Sequence, residues 1–125
     1  MINKNFVIDI DGTITGDISN EEPEKMVTCL PFLDALETIN DWHRNGHTIT
    51  FFTARTDSHR KITEDWLKKH GFKYHNLIMN KPRGGNYHYI DNANVQATRY
   101  EGAFTELTTA SRIIEVFQWH PNRSI

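Results

Sequence analysis

The stretch that decides the fold is FVIDIDGT, at residues 6–13. Its apolar residues predict a strand that ends in two acids, a glycine and a hydroxyl group. Asp9 and Asp11 lie one residue apart, so strand alternation places both carboxylates on the same side. Neighbouring carboxylates repel each other and are costly to desolvate unless a cation or a reaction uses them. The stretch therefore predicts a functional site, with an acidic strand end and an ordinary Asp-Gly turn as the simpler alternative.

Length and composition predict one globular domain over residues 1–125. The 125 residues are 38% hydrophobic and 24% charged, which is enough for a packed core. The formal net charge of -2 gives no electrostatic reason to expect nucleic acid or an anionic membrane as a partner. Cys29 is the only cysteine, so an internal disulfide is excluded and a reduced, cytoplasmic setting is expected. The sequence has neither a leader pattern nor an apolar run of membrane-spanning length.

Beyond the first strand, hydrophobic periodicity predicts alternating helices and strands. Residues 14–28 are polar and irregular, which is typical of a loop or a small hairpin. The predicted helices lie between Pro31 and Gly46, from an Asp57 or Ser58 cap to Gly71, and around residues 107–117. The predicted strands after the first are 47–52, 76–79 and 87–90.

This alternation is typical of an α/β protein with parallel βαβ units. We therefore expect a three-layer αβα sandwich with a mainly parallel, Rossmann-like sheet. Ligands of such sheets bind outside the carboxyl ends of the strands. Five polar residues at or just after the predicted strand ends are expected to converge on one crevice there. These are Asp9, Asp11, Thr53, Lys81 and Asp91.

The same residues carry a resemblance to a known family. The chain resembles the haloacid dehalogenase (HAD) superfamily of phosphohydrolases over nearly its whole length. The string DIDGT at residues 9–13 is its specific part. Thr53 after the second strand, Lys81 before Pro82 and Asp91 after the fourth predicted strand are single residues whose order gives them weight.

The resemblance implies that Asp9 is a nucleophile that forms an aspartyl-phosphate. It implies that Asp11 protonates the leaving oxygen and later activates water. Asp9, the Asp11 backbone carbonyl and Asp91 would hold Mg²⁺, and a hard cation is needed to bring carboxylates and a phosphate dianion together. The family often has a second acid after Asp91, whereas this chain has Asn92, which puts the strength of metal binding in doubt.

Further residues are candidates for binding the substrate. Thr53 could donate a hydrogen bond to a phosphoryl oxygen, and Lys81 could neutralise charge on the transferring group. Each also has a simpler interpretation, as a strand-end cap or a solvated loop lysine. The remaining candidates around the crevice are Gly12, Thr13, Ala54, Arg55, Arg83 and Asn92. We expect the two arginines to lie at its rim.

The expected function is Mg²⁺-dependent hydrolysis of a small phosphomonoester, such as a sugar phosphate. Small bacterial relatives are often associated with capsule or surface-polysaccharide synthesis, which the resemblance alone implies here. The alternatives are a polynucleotide or nucleotide phosphatase, a non-catalytic phosphate-binding module on the same fold, and a receiver-type signalling domain. The absence of a basic surface excess disfavours a nucleic-acid substrate.

Many relatives carry a cap domain over the active site. The two places for such an insertion are residues 14–29 and the segment between Thr53 and Lys81, and both are too short to fold as a domain. The sequence therefore predicts a capless core whose crevice is bordered by a flap at residues 14–29. Since capless relatives act on large substrates or borrow a neighbouring subunit as a lid, it favours a homo-oligomer.

Overall fold

The computed structural model describes residues 3–104. The strands are β1 (Asn5–Ile8), β2 (Thr48–Phe52) and β3 (Asn76–Ile78). The α-helices are α1 (Pro23–Thr28), α2 (Leu33–Arg44) and α3 (Arg60–Lys69), and a 3-10 turn at Asp57–His59 precedes α3. The predicted helix around residues 107–117 lies outside the described residues.

The three strands form one parallel sheet in the order β1-β2-β3. Phe6 lies opposite Ile49 and Ile8 opposite Phe51, while Phe51 also lies opposite Leu77. Helical segments separate the strands along the chain, as parallel pairing requires. The predicted α/β class with a Rossmann-like parallel sheet is confirmed. The third layer of the sandwich stays a prediction, because the last predicted helix is not described.

One face of this sheet forms the hydrophobic core. Ile49 and Phe51 are fully buried, and they join Ala35 and Ile39 of α2 and Leu67 of α3 in one cluster. The residues that point the other way are more open. Val7 is 62% exposed and Ile78 is 49% exposed. Among residues 3–104, helix packing therefore covers mainly the Ile49 side of the sheet.

Helix α1 corrects the prediction of a loop or hairpin over residues 14–28. Pro23 occupies the first turn, where its fixed φ favours a helix and its missing N–H is not needed. Met26 is completely buried and fastens the helix to the protein. The helix is short, and Met26 is its only buried residue. One buried residue cannot produce the hydrophobic periodicity that predicts a helix from sequence.

The predicted fourth strand is also wrong. Residues 87–90 have no strand partner in the described structure. Two tyrosines and a β-branched isoleucine in these four residues favour a strand, but that preference depends on packing against neighbours. Tyr87, Tyr89 and Ile90 are 57%, 68% and 78% exposed, so these side chains have little packing.

The capping prediction for α3 fails as well. Neither the 3-10 turn nor α3 has a side-chain hydrogen bond at its N-cap. The Ser58 hydroxyl pairs with that of Thr56 instead, at 2.8 Å. Helix α2 begins two residues after Pro31, at Leu33. It ends before Gly46, whose φ of 91° is the left-handed conformation that glycine adopts without strain.

The difference between the two sheet faces predicts a difference in stability. Ile49→Ala should lower the free energy of unfolding by about 2–5 kcal/mol, because it leaves a cavity in the core. Ile78→Ala is the matched control, since the same atoms are removed from a side chain that is 49% exposed. Urea denaturation should show a loss at least twofold smaller for the control. Equal losses would contradict the assignment of the Ile49 side as the core.

Candidate active site

A tight loop follows β1 and carries the two acids. The amides of Thr13 and Ile14 both donate to the Ile10 carbonyl, at 3.1 and 3.0 Å. Gly12 has a φ of 77°, which residues with a side chain rarely adopt. The glycine thereby allows the chain to turn between Asp11 and Thr13. The predicted placement of both carboxylates at the end of the first strand is confirmed.

Asp9 lies at the open end of this loop. Its side chain is 36% exposed, and Lys81 Nζ lies 3.4 Å from its Oδ1. The Thr13 hydroxyl donates to Asp9 Oδ2 at 3.3 Å. The Lys81 ammonium also lies 4.7 Å from the centre of the Tyr87 ring, within cation–π distance. The Asp9 carboxylate, which follows β1, and the Lys81 ammonium group, which follows β3, thus form an ion pair.

Asp11 makes a different ion pair. Arg55 Nε donates to Asp11 Oδ2 at 3.0 Å, and Arg55 Nη2 donates to Oδ1 at 2.8 Å. The Arg55 side chain is completely buried, while that of Asp11 keeps 15% exposure. This two-pronged pairing fixes the orientation of both groups. The prediction that Arg55 lies at the rim is wrong, because the guanidinium is inside the protein.

The segments after β2 and β3 are tied to each other through the backbone. The Lys81 amide donates to the Thr53 carbonyl at 2.9 Å, and the Asn80 amide donates to the Arg55 carbonyl at 2.8 Å. The Arg55 amide donates to the Thr53 hydroxyl at 3.1 Å. These bonds place Lys81 and Arg55 on adjacent strand ends at fixed spacing.

The polar strand ends open onto a crevice with a volume of about 330 Å³. This is at the small end of ligand-binding cavities. Its lining includes three acidic and three basic residues, and it is formed in part by the flap and by the loop after β3. The lining residues are Asp9, Asp11, Asp17, Ile18, Asn20, Ala54, Arg55, Lys81, Arg83, Gly84, Gly85 and Tyr87.

The predicted convergence of five residues is confirmed for Asp9, Asp11 and Lys81 but not for the other two. Thr53 is completely buried behind the crevice wall and is absent from its lining. Asp91 is exposed and also absent from the lining. Its carboxylate accepts hydrogen bonds from the Ala93 amide and the Tyr89 hydroxyl, which hold the pKa of Asp91 below its usual value. The missing fourth strand explains this placement, because no strand carries Asp91 to the crevice.

The other substrate-binding candidates divide in the same way. Ala54 and Arg83 line the crevice as predicted. Gly12 and Thr13 shape the Asp9 loop without lining the crevice, and Asn92 is exposed outside it.

Six lining residues are not among the site residues predicted from the sequence. They are Asp17, Ile18, Asn20, Gly84, Gly85 and Tyr87. Asp17 and Asn20 come from the flap, and the Asn20 amide group donates to the Ala54 carbonyl at 3.1 Å. Tyr87 comes from residues 87–90, for which the sequence predicts a strand. Tyr87 belongs to a pattern that predicts a strand and not a site, and the others belong to no site motif, so the folded path of the loops reveals their place in the crevice. The prediction that residues 14–29 border the crevice is confirmed.

The donor atoms at Asp9 suit Mg²⁺, which prefers oxygen ligands. Proteins usually hold this ion with one or two carboxylates and leave the other positions to water and substrate phosphate. The carboxylate of Asp9 and the backbone carbonyl of Asp11 are of the required type. Within residues 3–104, no cluster of three or more His, Cys, Asp or Glu side chains could hold a metal by itself. A metal at this site would therefore take part of its coordination from water or from the substrate.

The chain is similar to several known proteins. The model of a family described as PITM 1-3, LNS2 domain matches residues 6–98. A curated Bacillus cereus protein, provisionally named a nucleotidase, is 40% identical over 48 residues. That match covers 38% of this chain and 25% of the relative, so the chain matches only about a quarter of that protein's length.

Two solved structures have a similar fold. The crystal structure of a target protein from Vibrio cholerae has a TM-score of 0.56 and 28% sequence identity, and the match covers 72% of this chain and 80% of that one. A chain of the Pnkp1/Rnl/Hen1 complex also has a TM-score of 0.56, with 22% identity over 73% of this chain and 31% of its own. The second likeness concerns the fold alone. In the described part of the chain, no helix is both long enough and apolar enough to cross a bilayer.

Proposed function

The chain belongs to the LNS2 domain family, a HAD-like phosphatase family, and on this basis we propose that it hydrolyses a small phosphomonoester. The proposal includes dependence on Mg²⁺ and an aspartyl-phosphate intermediate. Asp9, Asp11 and Lys81 are the residues that would carry the reaction.

One observation carries this proposal. The Asp9 carboxylate is partly exposed at the crevice, and Lys81 Nζ lies 3.4 Å from it. A nucleophile of this reaction must reach the phosphorus atom, and a cation beside it must stabilise the charge on the transferring group. The placement of Asp9 and Lys81 supports both roles, because the carboxylate is accessible and the ammonium group lies beside it.

The proposed reaction has two steps. An oxygen of Asp9 attacks phosphorus, the bond from phosphorus to the leaving oxygen breaks, and Asp11 gives its proton to that oxygen. Asp11 then accepts a proton from water, which attacks the aspartyl-phosphate and releases inorganic phosphate. Lys81 neutralises phosphoryl charge throughout. Asp9 and the Asp11 carbonyl would hold Mg²⁺, which when bound supplies charge neutralisation for the phosphate.

The crevice volume of about 330 Å³ favours a small phosphomonoester, and sugar phosphates remain our first proposal for its class. A nucleotide is the second candidate. The relative provisionally named a nucleotidase supports it, and so does Tyr87, a 57% exposed ring at the crevice on which a base could stack. A role in capsule or surface-polysaccharide synthesis and a cytoplasmic location stay predictions.

A phosphate-release assay tests the proposed function. The purified protein is incubated with a panel of sugar phosphates, glycerol phosphates, nucleotides and 4-nitrophenyl phosphate, with Mg²⁺ or with EDTA. We expect Mg²⁺-dependent release from at least one small ester. A protein that binds inorganic phosphate but cleaves none of the panel would favour the non-catalytic module instead.

Metal binding predicts a second result that does not depend on turnover. Millimolar Mg²⁺ should raise the melting temperature, because a ligand that binds only the folded protein stabilises it by mass action. At 100 times the dissociation constant the gain is about 2.7 kcal/mol. Differential scanning fluorimetry measures the shift, with NaCl of matched ionic strength as the control. A melting temperature that Mg²⁺ leaves unchanged would count against a preformed metal site.

We also propose that the protein works without a cap domain. Between Thr53 and Lys81 the chain forms only the 3-10 turn, α3 and β3, and residues 14–29 contain only the six-residue helix α1. A partner subunit would then serve as the lid over the crevice. A monomer that is fully active on a small sugar phosphate would contradict the borrowed lid.

A further inference from the structure

Arg55 is buried, although arginine side chains usually lie at the protein surface. Its guanidinium is completely buried and makes three side-chain hydrogen bonds. Two go to Asp11, and the third runs from Nη1 to the Thr63 hydroxyl at 3.0 Å. The Thr63 hydroxyl in turn donates to the His59 carbonyl at 2.8 Å. Arg55 is thus held by α3 as well as by Asp11.

The burial of Arg55 bears on what it can contact. A substrate in the crevice could reach a guanidinium only if part of that group were accessible, and the side chain of Arg55 has 0% exposure. Asp11, which accepts two hydrogen bonds from this guanidinium, keeps 15% exposure. Arg55 is therefore poorly placed to bind substrate and well placed to hold Asp11.

We infer that Arg55 is a positioning residue, which aims the Asp11 carboxyl at the leaving oxygen through the Thr63–Arg55–Asp11 chain of contacts. A carboxylate has about four acceptor positions, and the guanidinium occupies two of them. Lone pairs therefore remain on each oxygen for the proton that the reaction moves. This inference rests on the proposed phosphatase function.

The inference predicts selectivity for the leaving group. Protonation matters most when the departing oxygen is basic, as in phenol, which has a pKa of about 10 like tyrosine. It matters much less for 4-nitrophenol, a stronger acid. Misplacing the proton donor should therefore slow the hydrolysis of phenyl phosphate far more than that of 4-nitrophenyl phosphate. These two esters have similar size. The ratio of their kcat/KM values therefore measures how well Asp11 is positioned to protonate the leaving oxygen.

The test compares this ratio in three variants. Arg55→Lys keeps the charge but cannot make the two-pronged contact, and it should lower kcat/KM for phenyl phosphate by roughly 10²-fold. The loss for 4-nitrophenyl phosphate should stay within about tenfold. Thr63→Val removes only the hydroxyl behind Arg55 and should shift the ratio in the same direction by a smaller factor. Arg60→Lys is the matched control, because Arg60 makes an exposed pair with Glu64 at 3.3 Å on the same helix, and its ratio should equal that of the wild type.

The ratio is insensitive to partial misfolding, because the folded fraction cancels between substrates. Equal losses on both esters in Arg55→Lys would overturn the inference and leave Arg55 a structural residue. If that variant does not fold, the Thr63→Val ratio decides alone, and an unchanged ratio overturns the inference. A wild-type protein that cleaves neither these esters nor the wider panel would instead be a failure of the proposed function, and the inference would fall with it.

Discussion

Asp9→Asn should abolish phosphate release while leaving the fold intact. An amide has nearly the same shape as a carboxylate, but it is a poor nucleophile and a weaker ligand for Mg²⁺. We expect turnover to fall by at least about 10⁴-fold, as losses of a nucleophile commonly do. Asp9 is 36% exposed at its side chain and its pair with Lys81 is 3.4 Å long, so the stability lost should be about 1 kcal/mol or less.

Phosphate release and urea denaturation on the same preparation check both halves of this prediction. Beryllium fluoride with Mg²⁺ adds a binding readout, because it mimics a phosphoryl group on a carboxylate. The wild type should be stabilised by beryllium fluoride and the variant should not. Appreciable turnover in a clean Asp9→Asn preparation would remove Asp9 from the nucleophile role.

Asp11→Asn should behave differently, although it is the same chemical change two residues away. It removes the proton donor, so turnover should fall by roughly 10²- to 10⁴-fold. It also leaves the buried Arg55 guanidinium without its counter-charge, since an amide oxygen can replace only part of the Asp11 contacts. Removing one partner of a buried pair is strongly destabilising, and the 15% exposure of Asp11 softens the effect to about 2–3 kcal/mol.

The pair of variants therefore separates the two acids by stability as well as by activity. Urea denaturation should place Asp9→Asn close to the wild type and Asp11→Asn clearly below it. Mg²⁺ can still be tested with Asp11→Asn, because the backbone carbonyl is unchanged. Equal stability of the two variants would argue that the Asp11–Arg55 pair contributes nothing to the folded state.

The sequence predicts the strand ends well because strong local rules act there. The first strand and its acids follow from an apolar run, a two-residue period and a glycine turn, and all three are visible in residues 6–13. Lys81 joins Asp9 because parallel strands end at the same edge of the sheet. These features need no knowledge of distant packing.

The incorrect predictions concern residues whose structure depends on contacts with distant parts of the chain. The β-like pattern of residues 87–90 has no partner in the described structure, and a strand cannot form without one. Asp91 consequently stays outside the crevice. Arg55 is the opposite case, because its charge predicts exposure, whereas its side chain is buried and hydrogen-bonded to Asp11 and Thr63. Neither partner is adjacent to it in the sequence.

The crevice wall combines two kinds of residue with different freedom to change. Arg55 is completely buried and bonded on several sides, so most substitutions there would disturb folding. Arg83 and Tyr87 are exposed residues of the loop after β3, and Asp17 is an exposed residue of the flap. Substitutions at such positions usually change stability by less than about 0.5 kcal/mol. New substrate preferences can therefore arise at the mouth of the crevice by single mutations, while the Asp11–Arg55 pair below it is constrained by the demands of folding.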